Sequence, residues 1–190
     1  MIYTKGGFYH IYNRGYNKEL IFFSEHDYHY LLNKIEINKE REKFNIIAYC
    51  LMPNHYHFLI QQKSELPVSN WISFIFNGYV QSINKQQNRS GTLFEGRAKS
   101  KQIDKEKYLI RLVLYIHFNP VSAGLVSKPE EWEYSNYLEW IGKRNGKLVD
   151  KDFIFDHFRS CKEYEELMKV YSQEKQNLDD ISNYLIDDKC

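Results

Sequence analysis

The amino-acid sequence predicts an α+β fold in which one antiparallel sheet carries helices on one face. Three observations predict it: strand and helix signals in the order βαββαβ, a Pro-Asn turn between two apolar strands, and broad apolar stripes on the helices. This order is that of the ferredoxin-like and RRM-like architecture, with one further helix after the last strand. With 190 residues, 43% of them hydrophobic, the chain can bury one ordinary core.

Each predicted element has a local signal. Ser24 is a sensible N-cap for the first helix, with Asp27 three residues later as its capping partner. Pro53 and Asn54 form a turn between two hydrophobic strands, and turn residues at 88–91 end the second long helix. In chain order the predicted elements are strand 8–13, helix 25–43, strand 44–52, strand 55–62, helix 67–87, strand 93–103 and helix 104–119.

A pair of histidines begins the strand at 55–62, which this order of elements places centrally in the sheet. His55 and His57 are two residues apart, so a strand presents both imidazoles on the same face and Tyr56 on the other. Two neutral imidazoles side by side form a ready site for a divalent metal. The alternative is that both are simply polar residues on a half-buried strand.

The helix at 104–119 offers a phenol and an amide from one surface. Tyr115 and Asn119 are four residues apart and lie beside the apolar stripe rather than on it. Pro120 is expected to disfavour helical geometry at Asn119, which would leave Tyr115 in the last turn of the helix. The pair is therefore a candidate nucleophile next to a candidate third metal ligand.

Four motifs together resemble the single-tyrosine transposases of the HUH endonuclease superfamily, and among these the REP-associated tyrosine transposases. They are Tyr9-His-Ile-Tyr-Asn-Arg-Gly15, Ala48-Tyr-Cys-Leu-Met-Pro-Asn-His-Tyr-His-Phe-Leu-Ile60, Gly91-Thr-Leu-Phe-Glu-Gly-Arg97 and Tyr115-Ile-His-Phe-Asn-Pro-Val-Ser-Ala-Gly124. Members of this family cut single-stranded DNA next to a hairpin and join themselves to the new 5′ end. The resemblance covers nearly the whole chain.

The resemblance implies a role for each candidate residue. His55 and His57 would be metal ligands for Mg²⁺ or Mn²⁺, Tyr115 the nucleophile, and Asn119 the third ligand, where some relatives carry glutamine. A tyrosine that attacks a phosphodiester becomes a 5′-phosphotyrosine and splits strand transfer into two reversible steps. The phenol of Tyr115 has to lose a proton, and the sequence identifies no base; Tyr108, two turns earlier, is its one serious competitor. His10 on the first strand is a further candidate to support the site, although a lone histidine on a strand is more often structural.

Charge is divided unevenly along the chain. Residues 1–111 carry 16 Lys and Arg against 10 Asp and Glu, whereas residues 112–190 carry 10 against 15. Basic clustering on one segment is the electrostatic signature of a phosphate-backbone partner, although a solvated charged loop gives the same count. Phe94 beside this segment is expected to be exposed and to stack on an unpaired base. The DNA-contact candidates are Arg14, Arg97, Lys99, Lys101 and Arg111.

The remaining sequence sets expectations about organisation and location. We expect a catalytic domain over residues 1–125 and an extension over 126–190 that packs on it, with aromatics used for packing and helices near 160–173 and 178–187. Three scattered cysteines fit a reducing cytosol. No signal-like or membrane-length apolar run is found, so the expected protein is cytoplasmic, without a membrane partner, and a monomer or homodimer.

Two other functions share part of this pattern. A rolling-circle replication or plasmid-mobilisation nickase of the HUH superfamily would use the same metal and tyrosine, and the Met-Pro-Asn and Asn-Pro-Val contexts argue against it. A catalytically idle nucleic-acid-binding module on an RRM-like sheet would be expected to carry an aromatic-rich Lys/Arg-Gly-Phe strand, which the sequence lacks. The expected partner is a single-stranded DNA hairpin with flanking unpaired bases.

Overall fold

Four strands form one antiparallel sheet in the computed structural model, which describes residues 3–39 and 43–173. The strands are β1 (Phe8–Arg14), β2 (Phe44–Met52), β3 (His55–Gln62) and β4 (Lys99–Ile103). Their spatial order is β2-β3-β1-β4, and every neighbouring pair is antiparallel. The predicted βαββαβ order and the central position of the histidine strand are both confirmed.

Helices cover both faces of the sheet. The main helices are α1 (Glu25–Ile37), α2 (Val68–Gln86) and α3 (Glu106–Ser122). Helices α1 and α2 pack on one face, against side chains such as those of Ile11 and Phe58, as predicted. Helix α3, the further helix after the last strand, packs on the opposite face, against Ala48 and Leu59, so the helices are not confined to one face as predicted. The sheet is therefore buried on both faces, which explains why β2 reads as a nearly continuous apolar run.

The fourth strand is shorter than predicted, and Phe94 is not exposed. Strand β4 begins at Lys99 rather than at residue 93, because Gly96 adopts a φ of 107° that an extended strand does not allow. Phe94 is 6% exposed and packs edge-on against the rings of Tyr56 and Phe76. It is therefore a core residue, and the prediction that it stacks on an unpaired base is wrong.

Two helix ends differ from the predicted positions. Helix α1 ends at Ile37, where the side-chain amide of Asn38 donates to the Lys34 carbonyl; residues 40–42 of the predicted helix lie outside the described residues. Helix α3 continues through Pro120 to Ser122 rather than ending at Asn119. A proline removes one helical hydrogen bond, but burial of this segment in the core compensates for that loss. Asn119 consequently keeps helical geometry.

The C-terminal extension packs on the same face as α3. It comprises α4 (Tyr137–Trp140), α5 (Lys151–His157) and α6 (Cys161–Gln173), so the predicted helix at 160–173 is confirmed. The predicted helix at 178–187 lies outside the described residues. Buried aromatics of the extension, among them Trp140 and Tyr164, join the core under α3 and are used for packing, as expected. Within 3–39 and 43–173, no helix is both long and apolar enough to cross a membrane.

The extension also runs alongside β2 and hydrogen-bonds to its backbone. A β-bulge between Ile46 and Ala48 turns the Ile47 carbonyl outward, where the side chains of Asn136 and Trp140 donate to it at 2.9 and 3.1 Å. Leu51 N–H donates to the Tyr134 carbonyl at 2.9 Å. Backbone groups along β2 are therefore satisfied from both sides.

A buried histidine links α3 to the extension. His117 is fully buried; its Nε2 lies 2.9 Å from Oδ1 of Asn136 and its Nδ1 lies 2.7 Å from the Tyr164 hydroxyl. Because that amide oxygen only accepts, Nε2 carries the proton and the Tyr164 hydroxyl donates to Nδ1. Burial lowers the pKa of His117 to about 4. His117 is therefore a neutral structural group that contacts the extension rather than the face of α3 that carries Tyr115.

Acid should weaken the fold through His117. The unfolded chain binds this proton near pH 6.5 and the native protein only near pH 4. The contribution of neutral His117 to the free energy of unfolding is therefore fully present above pH 6.5 and is lost as the pH falls towards 4. The expected loss is roughly 3 kcal/mol. Urea unfolding of the wild type and of His117→Gln between pH 7 and 4 measures it. Equal pH dependence in the two proteins would contradict this assignment.

Candidate active site

Two neighbouring strands place four rings on one face of the sheet. His55 and His57 on β3 have ring centroids 5.1 Å apart, and His10 and Tyr12 on β1 lie beside them. We call this face, defined by these four residues, the histidine face. Tyr56 points to the opposite face, where it stacks on Phe76, as the alternation of side chains predicts.

Hydrogen bonds orient both candidate ligands. The Nδ2 amide of Asn54 donates to the Lys18 carbonyl at 3.2 Å, so its Oδ1 faces Nδ1 of His55 at 2.7 Å. An amide oxygen only accepts, so the proton is on Nδ1 and neutral His55 keeps a lone pair on Nε2. His10 is fully buried and its Nε2 lies 2.9 Å from Nδ1 of His57. His10 thus occupies the supporting position considered from sequence, and it leaves Nε2 of His57 to point into the site.

The side-chain amide of Asn119 meets both histidines. Its Oδ1 lies 3.2 Å from Nε2 of His55 and its Nδ2 lies 3.4 Å from Nε2 of His57. With Nδ1 of His55 protonated, two acceptor atoms face each other across 3.2 Å, an arrangement that a cation between them would relieve. Two imidazoles and an amide oxygen therefore fit a divalent metal.

The composition of this site is unusual for a metal centre. Among the residues that the structure describes, no group of three His, Cys, Asp or Glu side chains is arranged to hold an ion, because the third donor here is an amide. Burial lowers the pKa of His57 well below its usual range, and the neighbouring His55 and His10 lower it further. His57 is therefore a neutral imidazole near pH 7, the form that coordinates metals.

Helix α3 brings Tyr115 to the same place. Tyr115 is 7% exposed, and its ring lies edge-on to His57 with centroids 5.5 Å apart. Because α3 continues through Pro120, Tyr115 and Asn119 stay one turn apart on the surface that faces the sheet. Its competitor Tyr108 lies two turns earlier, where the ammonium groups of Lys105 and Lys107 sit over its ring. The structure thus brings Tyr115, rather than Tyr108, into contact with the histidines.

The candidate DNA contacts divide between two sides of the sheet. Lys101 and Lys99 on β4 pair directly with His10 and Tyr12 on β1, so both lysines belong to the same side as the histidine face. The Lys101 ammonium lies 5.8 Å from the Tyr12 ring centroid. Arg97 precedes the strand and lines a cavity on the α2 side of the sheet. Of these three basic residues, only the two lysines therefore lie on the side of the histidine face.

The other two arginine candidates lie at the borders of this region. Arg14, at the end of β1, forms an ion pair with Glu95, which lowers the pKa of that carboxyl group. Arg111 on α3 lies close enough to Tyr171 of α6 to offset part of the rise that burial causes in the tyrosine pKa. Arg111 therefore faces the extension.

Two residues of the site were not predicted from the sequence. Asn54 was interpreted only as a turn residue, although its position next to the histidine pair puts it within reach of His55. Tyr12 is 3% exposed, with its ring centroid 4.8 Å from that of His10. Tyr12 is two residues from His10 on β1, and this spacing was the sequence signal that both side chains lie on the same face. Pairing of that strand with β3, on which the contact with His57 depends, has no local signal in the sequence.

This chain is similar to proteins described as REP-associated tyrosine transposases. A curated protein of Haemophilus influenzae, named provisionally as a REP-associated tyrosine transposase, is 25% identical over 108 residues, which are 52% of this chain and 61% of the relative. The chain thus matches less than two thirds of that relative's length. A solved structure of a REP-associated tyrosine transposase bound to a REP hairpin has a TM-score of 0.60 at 18% identity, covers 79% of this chain and 92% of that chain, and shares the fold.

The family match covers the site. The family model described as "Transposase IS200 like" matches residues 4–119, a segment that begins before β1 and ends at Asn119. It includes both histidines of β3 and Tyr115. This match favours a transposase over the rolling-circle and RRM-like alternatives. The chain belongs to the IS200-like transposase family.

Proposed function

We propose that this protein is a metal-dependent transposase that nicks and rejoins single-stranded DNA next to a hairpin through a 5′-phosphotyrosine intermediate. One observation carries the proposal: the Nε2 atoms of His55 and His57 and the amide of Asn119 converge within hydrogen-bonding distance, with the Tyr115 ring against His57. A metal-ligand set next to a phenol is the arrangement that this chemistry requires.

In the proposed reaction, Tyr115 exchanges one ester bond of the DNA for another. The Tyr115 oxygen attacks the scissile phosphorus, a Tyr115–phosphate bond forms, and the bond from phosphorus to the 3′ oxygen breaks. The phenol proton leaves Tyr115 and a proton is taken up by the departing 3′ oxygen, so the exchange is neutral overall. A 3′-hydroxyl of another strand then reverses these steps and joins the DNA. The ester energy is conserved in the phosphotyrosine, and no nucleotide cofactor is consumed.

The metal has a defined place in this scheme. His55, His57 and Asn119 would hold Mg²⁺ or Mn²⁺, which supplies polarisation of a phosphoryl oxygen and orientation of the phosphate. Asn54 holds His55 in the tautomer that coordination needs, through the bond at 2.7 Å, and the contact of His10 with Nδ1 of His57 at 2.9 Å orients the second imidazole. The protein thus arranges the ligands before any DNA binds.

The proposed partner is a DNA hairpin with unpaired flanks. The solved REP-associated transposase with this fold holds a REP hairpin, which supports a hairpin here. Lys99 and Lys101 beside the histidine face supply positive charge on the side where the scissile phosphate would lie. We propose that Arg14, Arg97 and Arg111 contact more distant parts of the DNA.

Organisation and location follow from the same proposal. We propose that residues 1–125 form the catalytic domain and residues 126–190 an extension packed on it. The protein would act as a monomer or homodimer, in the cytoplasm where its DNA substrate is found.

A direct experiment tests the proposed function. The protein is incubated with single-stranded DNA from the flanks of its own gene and with Mg²⁺ or Mn²⁺. A covalent protein–DNA band that resists denaturation is the expected result. If no flanking strand and neither metal yields such a band, the proposal fails.

Removing the two lysines beside the histidine face should weaken DNA binding. Lys99→Ala combined with Lys101→Ala should lower hairpin affinity and make the salt dependence of the logarithm of Kd shallower by about 0.7 for each lost phosphate contact. Fluorescence anisotropy between 50 and 200 mM salt measures both changes. As a matched control, Lys162→Ala combined with Lys169→Ala removes the same charge from exposed positions on α6. Identical salt slopes for the two double variants would argue against a phosphate path along β4.

A further inference from the structure

An open apolar groove adjoins the histidine face at the first residue of β3. It has a volume of about 610 Å³ and is lined mainly by Leu20, Phe23, Met52, Leu125 and His55, and Lys18 and Glu19 add one charge of each sign to the lining. One wall is the loop after β1, the floor is the β2–β3 turn, and the other wall is the turn after α3. The groove therefore lies between three segments that each connect to the proposed active site.

Hydrogen bonds tie these segments to the catalytic groups. Ile21 N–H donates to the Pro53 carbonyl at 2.8 Å, and Asn54 bridges the Lys18 carbonyl and His55. On the other wall, Leu125 N–H donates to the Pro120 carbonyl at 3.0 Å, directly after Asn119. A molecule in this groove would therefore contact His55, and the groove wall at Leu125 is hydrogen-bonded to the residue that follows Asn119.

The groove exposes apolar side chains that a folded protein normally buries. Leu20, Phe23 and Leu125 are 48%, 40% and 43% exposed, and Tyr16 in the same loop is 49% exposed. A cluster of exposed apolar groups beside a functional site marks a binding surface. The loop also holds Asn17 and Lys18 at φ values of 52° and 61°, a conformation that costs energy for residues other than glycine.

We propose that this groove binds one unpaired nucleobase next to the scissile phosphate, with the base stacked on Phe23 and its phosphate near Lys18. The inference rests on the proposed function and assigns it a base-recognition site. A nucleobase is flat and apolar on its faces, which suits the side chains of Leu20, Met52 and Leu125, and aromatic side chains are the usual stacking platforms for unpaired bases. A volume of 610 Å³ falls in the range of about 300–1,000 Å³ that is usual for small-ligand sites.

The test measures coupling between one base and one side chain. All proteins carry Tyr115→Phe, so that binding is read without cleavage, and the probe is a hairpin from the gene's flank with single-stranded extensions. Each flanking nucleotide is replaced in turn by an abasic site. We expect one abasic position, adjacent to the cleaved bond, to weaken binding roughly 5- to 150-fold. Phe23→Ala should weaken the intact probe similarly and abolish the difference between intact and abasic probes.

Matched variants separate ring stacking from general apolar contact. Phe23→Leu keeps an apolar side chain but no ring, and should lose most of the base preference. Phe155→Ala, which removes a phenylalanine that is 63% exposed on α5, should retain it. The proposal is overturned if no abasic position couples to Phe23, or if Phe23→Ala instead changes the molar mass measured by light scattering, which would make the groove a contact between copies. If the wild type forms its covalent adduct but no coupling is found, only the proposal of the base site is rejected. If the wild type forms no adduct, the proposed function itself is rejected.

Discussion

Tyr115→Phe should eliminate strand cleavage while leaving the fold and DNA binding nearly unchanged. The substitution removes one oxygen atom, which is the proposed nucleophile, and loss of a catalytic nucleophile lowers turnover by roughly 10⁴-fold or more. Removing one buried hydroxyl should change the free energy of unfolding by no more than about 1 kcal/mol. Covalent adduct on a denaturing gel, hairpin affinity by anisotropy and thermal unfolding measure the three quantities.

Two other tyrosines provide matched controls for this result. Tyr108 lies two turns earlier on α3, and Tyr12 lies on the histidine face with its ring 6.2 Å from that of His57. The control variants are Tyr108→Phe and Tyr12→Phe. Both variants should still form the adduct, and peptide mapping of wild-type adduct should find the nucleotide on Tyr115. Adduct formation by Tyr115→Phe would mean that one of these neighbours is the nucleophile.

His55→Ala and His57→Ala should each abolish cleavage by removing a metal ligand. One imidazole and an amide cannot hold Mg²⁺ or Mn²⁺ well in competition with water. Chelation with EDTA should remove wild-type activity, and added Mn²⁺ or Mg²⁺ should restore it. Binding of Mn²⁺ alone, measured by electron paramagnetic resonance, should be lost in both variants independently of any DNA substrate.

The histidine variants need separate controls, because the two positions differ in burial. His57 is fully buried and its replacement also removes packing, so its thermal unfolding has to be measured alongside activity. His26→Ala changes a histidine whose side chain is 77% exposed, and should leave metal binding and cleavage intact. Undiminished cleavage by the wild type in EDTA would exclude the metal-dependent mechanism.

Much of the site could be predicted because its residues are paired by local periodicity. Alternation along β3 places His55 and His57 together, and helical spacing does the same for Tyr115 and Asn119. These relations depend only on the backbone geometry of one element. The family resemblance then predicted that the strand and the helix meet, which the contacts of Asn119 with both imidazoles show.

Features that depend on tertiary contacts were less accessible from the sequence. Phe94 lies in a polar, basic segment that favours exposure, yet contacts with Tyr56 and Phe76 bury it. Pro120 favours a helix end, but packing of α3 on the sheet stabilises the helix beyond it. In both cases a local preference of about 1 to 3 kcal/mol is outweighed by burial of a large apolar surface.

The hydrogen bonds between the extension and β2 have a consequence for assembly. An outer strand with unpaired backbone groups is a template on which a second sheet can add, in dimers or in aggregates. Here Asn136, Trp140 and Tyr134 already occupy those groups along β2. Two copies of this chain that joined by continuing the sheet would have to meet along the β4 side, where Lys99 and Lys101 from each copy would bring like charges together.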